Sequence, residues 1–422
     1  MMSGSGAGGF EKVETSIFGP SKSKRNTLIK NRNILQTTYI PDQLPHRENE
    51  INNIVEIITP SLYKNKPSNI LIMGKTGTGK TAVINYIGKE LKKEDPAEEN
   101  CSYVYVNCEI VDNPYGILFN ISNQVIKDQN NKIPFTGWSL DRVYDTIINY
   151  IDKENKVFII VLDEIDRILQ KNGDDIFYFL TTMNEILKQS KISIVGVTND
   201  TKFTEFLTPK IKSRLGEEKI IFPPYNPEQL KNILKKRAEL AFEPGVMEDA
   251  VIPYCAAISA QDSGDVRKAL DLLRVSAEIA ERHGDTSITE AHVDSARNKI
   301  ELDAVVEVIK TLPVQSKIVL MSIINNHEDK NSAVITGDVY SLYKDICGIL
   351  NFSPLKEKRV ADLISELDML GIIHARVKSF GRNGRTREID LNINKDIIDF
   401  IMKDELFEPL SKHRLKKQTR LL

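Results

Sequence analysis

Several features are absent or scarce in this chain of 422 residues, and each absence excludes something. No apolar run approaches the roughly 20 residues needed to span a bilayer, and the Gly/Ser-rich start lacks the apolar core of a signal peptide. No membrane partner and a cytoplasmic location are therefore expected. Cysteine is scarce: of four, only Cys101 and Cys108 are close in sequence, and their gap fits neither a zinc knuckle nor a redox pair. Reduced structural thiols are the reading. Net charge is nearly absent, 57 basic against 59 acidic residues. Nothing therefore draws the whole chain to a polyanion, and any such contact must come from a local basic patch. No internal repeat is found, so the length calls for two or three ordinary domains.

What is present changes character along the chain. Residues 1 to about 38 show neither helical nor strand periodicity and read as a flexible arm. Tyr39-Ile-Pro-Asp-Gln-Leu-Pro-His46-Arg47-Glu48 follows, its prolines setting an extended approach to a helix at roughly 47 to 59. Short apolar runs at Ile70 to Met73, Tyr103 to Val106, Val157 to Leu162, Ile192 to Thr198 and Lys219 to Phe222 read as buried strands alternating with helices. Such alternation means a parallel sheet covered on both faces, an α/β fold. After Pro223-Pro224 the strand signal stops, and residues 226 to about 300 read as amphipathic helices, one of them Asp265 to Arg282. From about 301 come helices at Ala304 to Asn325, Thr336 to Leu350 and Leu355 to Leu370, then two strands around Gly381-Arg-Asn-Gly384. That order suggests a winged helix-turn-helix over 301–422.

Gly74-Lys-Thr76-Gly77-Thr78-Gly79-Lys80-Thr81, followed by Ala82, matches the phosphate-loop pattern in full and lies between a buried strand and a helix, as the motif requires. Its glycines let backbone N–H groups curl around phosphate oxygens at a helix N-terminus. Lys80 would neutralise the outer phosphates of ATP or ADP, and Thr81 would hold magnesium. An acidic pair should complete such a site from the end of a neighbouring strand, and Asp163-Glu164 supplies it: Asp163 for magnesium, Glu164 to polarise the attacking water. Asp166 reads as a carboxylate at a helix N-terminus. Asn199, at the end of another strand, could orient water or touch the γ-phosphate; taken alone, an Asn there is an ordinary turn residue.

With these elements in this order, a helical lid and Gly264-Asp265-Val-Arg267-Lys-Ala-Leu270, the chain resembles ATPases of the AAA+ superfamily over nearly its whole length. More narrowly, Pro41-Asp-Gln-Leu-Pro-His46-Arg47-Glu48, Phe222-Pro-Pro-Tyr225-Asn226 and the Gly264 to Leu270 run, ahead of a winged helix, resemble the archaeal origin-recognition initiators. These are relatives of the largest eukaryotic origin recognition subunit and of the helicase-licensing factor. The resemblance implies an AAA+ core over 39–225, a lid over 226–300 and a DNA-binding domain over 301–422. It makes Arg267 the sensor arginine for the γ-phosphate and places Tyr225 and Arg237 beside the nucleotide from the lid side. Pro41 to Arg47 would cover the adenine, and Arg214 stands where an arginine finger would face a neighbouring subunit. Arg214 is equally well a surface charge.

Two regions are candidates for DNA contact. About 50 residues separate the second and third strands where one helix would suffice. The excess, about 112–139, contains a helix at Pro114 to Ile126 and an exposed connection at Lys132 to Trp138. In the resembled family this insertion meets the minor groove, and few basic residues here imply contacts through amides, Asn and Ser. From His374 to Arg387 the wing carries Arg376, Lys378, Arg382, Arg385 and Arg387 with no acid, and Asn383 and Gly384 form its tip. Lys356, Lys358 and Arg359 begin the helix that enters the major groove in this fold. The resulting expectation is a slow, magnesium-dependent ATPase acting as a switch. It would bind double-stranded origin DNA and help recruit the replicative helicase, with other initiator paralogues as further partners on the DNA. A nucleotide-gated winged-helix transcription regulator would share most of these features.

Overall fold

The structure is a computed structural model that describes residues 27–128, 132–329, 334–379 and 385–412. The chain divides into two compact units, Met1–Ala296 and Arg297–Leu422. No helix among the described residues is long and apolar enough to cross a membrane. The four cysteines are free and buried.

The first unit is built on a parallel sheet. After α1 (Glu48–Ile58) come β1 (Ile70–Met73), α2 (Lys80–Glu94), β2 (Cys101–Asn107), α3 (Pro114–Val125) and α4 (Leu140–Lys153). Then follow β3 (Val157–Asp163), α5 (Asp166–Asn172), α6 (Asp175–Ile186), β4 (Lys191–Thr198), α7 (Pro209–Leu215) and β5 (Glu218–Ile221). The strand order is β2-β3-β4-β1-β5. Strand side chains alternate between faces, and every residue of β1 and β3 is buried because both faces are covered. Leu71, Phe158, Ile160, Leu162 and Ile194 pack toward Ile117, Ile147, Ile168 and Phe177 of α3 to α6. Ile70, Ile72, Ile159, Val161 and Val197 pack toward Ile54 and Ile58 of α1 and Ile84 and Ile87 of α2. Each fully buried aliphatic side chain contributes about 1.5–3 kcal/mol relative to exposure.

Three lid helices, α8 (Pro227–Ala241), α9 (Val251–Asp262) and α10 (Val266–His283), precede α11 (Glu290–Thr311). Asn226 starts α8 through a reciprocal capping box with Gln229. Residues 27–38, expected within a flexible arm, lie on this lid instead; residues 1–26 are outside the described residues. Leu28, Ile29 and Leu35 are buried, Ile29 bridges to Phe242, and the N–H groups of Leu28 and Ile29 both donate to Glu281 Oε1, at 3.0 and 3.1 Å. A single bridge and a short 3-10 turn leave no periodicity to read in sequence.

In the second unit, α12 (Val314–Asp329), α13 (Thr336–Ile349) and α14 (Glu357–Met369) surround a core of Ile318, Ile323, Tyr343, Ile346, Val360 and Ile364. The single helix expected over Ala304 to Asn325 is two, broken between Thr311 and Val314. Pro313 lacks an N–H and disfavours helical backbone in the residue before it, so α11 stops and a new helix starts. β6 (Val334–Ile335), β7 (Ile373–Ser379) and β8 (Arg385–Leu391) form an antiparallel sheet ordered β6-β8-β7, and α15 (Lys395–Met402) follows. β6 and α15 were not anticipated. The hairpin tip at Arg382, Asn383 and Gly384 lies outside the described residues.

Candidate nucleotide site and DNA-facing surfaces

Parallel topology brings the carboxyl ends of β1, β3 and β4 together, where ligands of open α/β sheets bind. A cavity of about 800 Å³ opens there. It is lined by Gly77, Gly79, Lys80, Thr81 and Ala82 from the loop, Glu164 and Asn199 from the strand ends, residues 37–45, and Tyr225, Arg237 and Arg267 from the lid side. Gly77 and Gly79 have φ of +74° and +90°, the left-handed region that favours glycine. Space forbids a side chain as well: a Cβ on Gly77 would lie 1.7 Å from Asp265 Oδ1, and one on Gly79 2.7 Å from the Tyr225 hydroxyl. Thr76 is exposed, whereas Thr78 is buried and donates to the Lys75 carbonyl at 2.9 Å.

Lys80 begins α2 and is 5% exposed. Its ammonium donates to the carbonyls of Gly74 (2.8 Å) and Lys75 (2.9 Å) and to Asn199 Oδ1 (2.7 Å). Burial lowers its pKa to about 8, against the opposing pull of Glu164 and Asp163; Arg267 adds to the lowering. Asn199 donates from its amide nitrogen to Glu164 Oε2, so one amide spans the lysine and the acid. Glu164 sits at φ +58°, uncommon for any residue but glycine and costing about 1–3 kcal/mol at functional sites. Burial pushes its carboxyl up, and Asp163 and Asp166 push it further. Asp163 is 2% exposed; its Oδ2 accepts from Thr81 Oγ1 at 2.9 Å and from the Tyr105 hydroxyl at 2.8 Å. A hydroxyl and a carboxylate in contact are the hard oxygen donors that magnesium takes.

Asp166 does more than start a helix. Its Oδ1 accepts from Thr198 Oγ1 (2.9 Å) and from the Asn199 N–H (3.3 Å), which holds the end of β4 and so aims Asn199. Arg267 lies in the first turn of α10, exposed on the cavity wall, with no hydrogen bond or ion pair for its guanidinium among the described residues. Arg237 also lines the cavity, but its guanidinium donates to the carbonyls of Ile34 (2.9 Å) and Tyr39 (3.1 Å) and stacks over the Tyr39 ring. It holds the N-terminal segment to the lid. Tyr225 is buried beneath Arg47, whose guanidinium stacks on its ring at 4.0 Å. Arg214, on α7, is paired with Glu185. Tyr105 carries no motif of its own, and Arg47, the end of the Pro41 to Arg47 run expected over the adenine, was not singled out as a phosphate-loop partner.

The insertion contains α3, and in the connection at Lys132 to Trp138, expected to be exposed, five residues are exposed while Ile133 is buried and Trp138 half-buried. Asn113 is spent capping α3, while Ile110 and Phe135 are 81% and 72% exposed. Phe135 packs edge-on against Phe119. In the second unit, Lys356, Lys358 and Arg359 are exposed at the start of α14. Arg359 pairs with Glu366 at 3.3 Å, whereas Lys356 and Lys358 make no ion pair among the described residues. The strand register divides the wing. Arg376 stands opposite Glu388, and Lys378 is bonded to Glu388 at 3.0 Å. Arg387 falls on the other face, half-buried, donating to the Ala361 carbonyl of α14 at 3.0 Å and to Ser365. Arg385 begins β8.

Comparison with known proteins follows the same divisions. Residues 64–207 match the family described as AAA domain, 231–298 the Cdc6 AAA+ ATPase-type lid domain, and 307–401 the CDC6 C-terminal winged helix domain. The chain is similar to the ORC1-type DNA replication protein of Pyrococcus horikoshii, 47% identical over 401 residues, covering 94% of this chain and 96% of that protein. It is also 47% identical over 388 residues to ORC1-type DNA replication protein 1 of Methanosarcina mazei, covering 91% and 92%. The solved structure of Aeropyrum pernix ORC1 in complex with DNA shares 40% identity, with a TM-score of 0.74 over 92% of this chain and 99% of that one.

Proposed function

The chain belongs to the family of ORC1-type DNA replication proteins, and from that premise we propose that it is an initiator whose grip on origin duplex is set by bound ATP or ADP. The observation that carries this is one cavity lined by the phosphate loop, Glu164, Asn199 and the lid residue Arg267, with Asp163 bonded to Thr81 of the loop. Lys80 and the loop amides bind the phosphates. Glu164, its basicity raised by burial, accepts the proton of the attacking water, and Asn199 keeps Glu164 and Lys80 in register. Thr81 and Asp163 would hold magnesium, which neutralises phosphate charge when bound. Arg267, whose guanidinium has no hydrogen bond or ion pair among the described residues, reports the γ-phosphate to the lid, so turnover serves as a slow switch.

DNA contact divides between the two units. Lys356 and Lys358, without ion pairs among the described residues, and exposed Arg376 offer charge on the winged helix; Arg382 and Arg385 would add to it, with Asn383 and Gly384 as further DNA contacts. In the first unit, exposed Ile110 and Phe135 suit an apolar approach to a minor groove, a contact that senses groove shape. The A. pernix relative, solved in complex with DNA, supports DNA as the ligand. Recruitment of the replicative helicase, initiator paralogues as partners on the DNA, Arg214 as an arginine finger toward a neighbouring subunit, and residence at the nucleoid in the cytoplasm complete the proposal.

Fluorescence anisotropy tests it, using the host's own origin repeats against scrambled duplexes across a salt series, with ATP and with ADP. Tighter binding to the repeats at every salt concentration is expected. Equal affinity for both duplexes would sink the origin-specific reading.

A further inference from the structure

Arg47 is 1% exposed and among the largest fully buried side chains of the chain. Each of its three guanidinium nitrogens donates. Nε donates to the Thr78 carbonyl (2.9 Å) and the Tyr225 hydroxyl (3.0 Å), one terminal nitrogen to Glu50 (3.0 Å), and the other to the Pro223 carbonyl (2.6 Å). Its plane stacks on Tyr225 at 4.0 Å and lies 5.4 Å from the Phe222 ring. Burying a guanidinium costs several kcal/mol before its bonds repay it, and an apolar side chain of similar size would usually fill such space more cheaply. The arginine must therefore supply something that packing alone does not.

Its contacts say what. Thr78 belongs to the phosphate loop, and Phe222 to Tyr225 form the connection from β5 to the first lid helix. A trans peptide points its C=O and N–H in opposite directions. Holding the Thr78 carbonyl toward Arg47 turns the N–H of the same peptide, that of Gly79, the other way, and Gly79 lines the cavity. The same rigid fork grips the Pro223 carbonyl, so loop and hinge share one anchor. A second junction lies alongside: the Val266 N–H donates to the Gly77 carbonyl at 3.2 Å, one residue before Arg267.

We propose that Arg47 is a positioning residue that sets the phosphate-binding amides of the loop and ties them to the lid hinge, so that nucleotide binding is felt at Tyr225 and Asn226. The proposal rests on the cavity being the nucleotide site, and wild-type affinity for ADP tests that premise separately. Arg47→Lys keeps the charge but lacks the planar fork, so it cannot hold the Thr78 and Pro223 carbonyls together.

Two measurements on the full chain decide it. In Arg47→Lys, ATP and ADP should weaken by a similar factor, at least about tenfold, as expected when a charge-assisted bond that serves both nucleotides is removed. At saturating ADP, hydrogen exchange should slow at the phosphate loop but no longer at Tyr225, Asn226 and the first turn of α8, where the wild type slows. Unchanged affinities, or hinge protection equal to wild type, would overturn the proposal. Should Arg47→Lys fail to fold, Tyr225→Phe decides: it keeps the ring and loses one bond to Arg47. Its hinge protection must then fall below wild type, and protection at the wild-type level rejects the idea.

Discussion

Charge is held in opposite ways at the phosphate loop and at the winged helix. Lys80 is buried and has three fixed acceptors, while Lys356 and Lys358 are exposed without ion pairs among the described residues. At the first site the low dielectric makes each contact strong and each missing one costly. Geometry is thus predetermined, and the pKa of Lys80 and that of Glu164 move with it. At the second, water screens the charges, and what matters is how many remain unneutralised on one face. A dense basic run is therefore a weaker guide than a buried motif. Lys378 is offset by Glu388, and Arg387 is turned toward α14.

The comparison breaks first at the buried site if it is wrong. Glu164→Gln should retain ATP while hydrolysis falls by roughly a hundredfold or more, the usual worth of a positioned general base. Lys80→Ala should instead lose ATP itself, by about 2–3 kcal/mol for a charged hydrogen bond, near a hundredfold. Single-turnover hydrolysis and calorimetric titration separate the two. Unchanged hydrolysis in both variants would mean the chemistry lies elsewhere.

A smaller effect should appear with pH. Burial holds Lys80 at about 8, against roughly 10.4 in an unfolded chain. Between those values the unfolded state binds the extra proton, so the stability contributed by this group rises with pH, and burying charged Lys80 is a cost below pH 8. Anion binding runs the other way. As pH rises through 8, the empty site loses its ammonium, and ATP affinity should fall by up to about tenfold per pH unit. Titration of wild type against Lys80→Ala from pH 7 to 9.5 checks this, and a flat wild-type profile would contradict the buried charge.

The smallest effects sharpen the exposed side. Replacing Lys356 and Lys358 with Ala should weaken DNA binding and lower the salt slope by about one for each phosphate left unneutralised, with the melting temperature unchanged. Arg387→Ala should do the reverse, destabilising the winged helix by about 1–3 kcal/mol because its hydrogen bonds to α14 are no longer made. A large DNA defect in Arg387→Ala at unchanged stability would put that guanidinium on the nucleic acid after all.

The phosphate loop, the five parallel strands and the acidic pair could be read directly, because their physics is local. Glycines at positive φ, apolar runs between turns and a carboxylate pair ending a strand all occupy consecutive residues. The break at Pro313 was equally local and was overrun by the helical periodicity on either side of it. What the chain could not reveal are contacts between residues far apart in sequence. These include residues 27–38 lying on the lid, Arg237 committed to the Ile34 and Tyr39 carbonyls and Tyr105 bonded to Asp163. Arg47, reaching both Thr78 and Pro223, is another. Strand register, which only the folded hairpin sets, decided which wing arginines face outward. By itself, then, the sequence determined a phosphate-loop motif and the sheet that carries it. Only the tertiary structure decided which buried charges hold that site to its lid, because a buried charge must find its partners wherever the fold brings them.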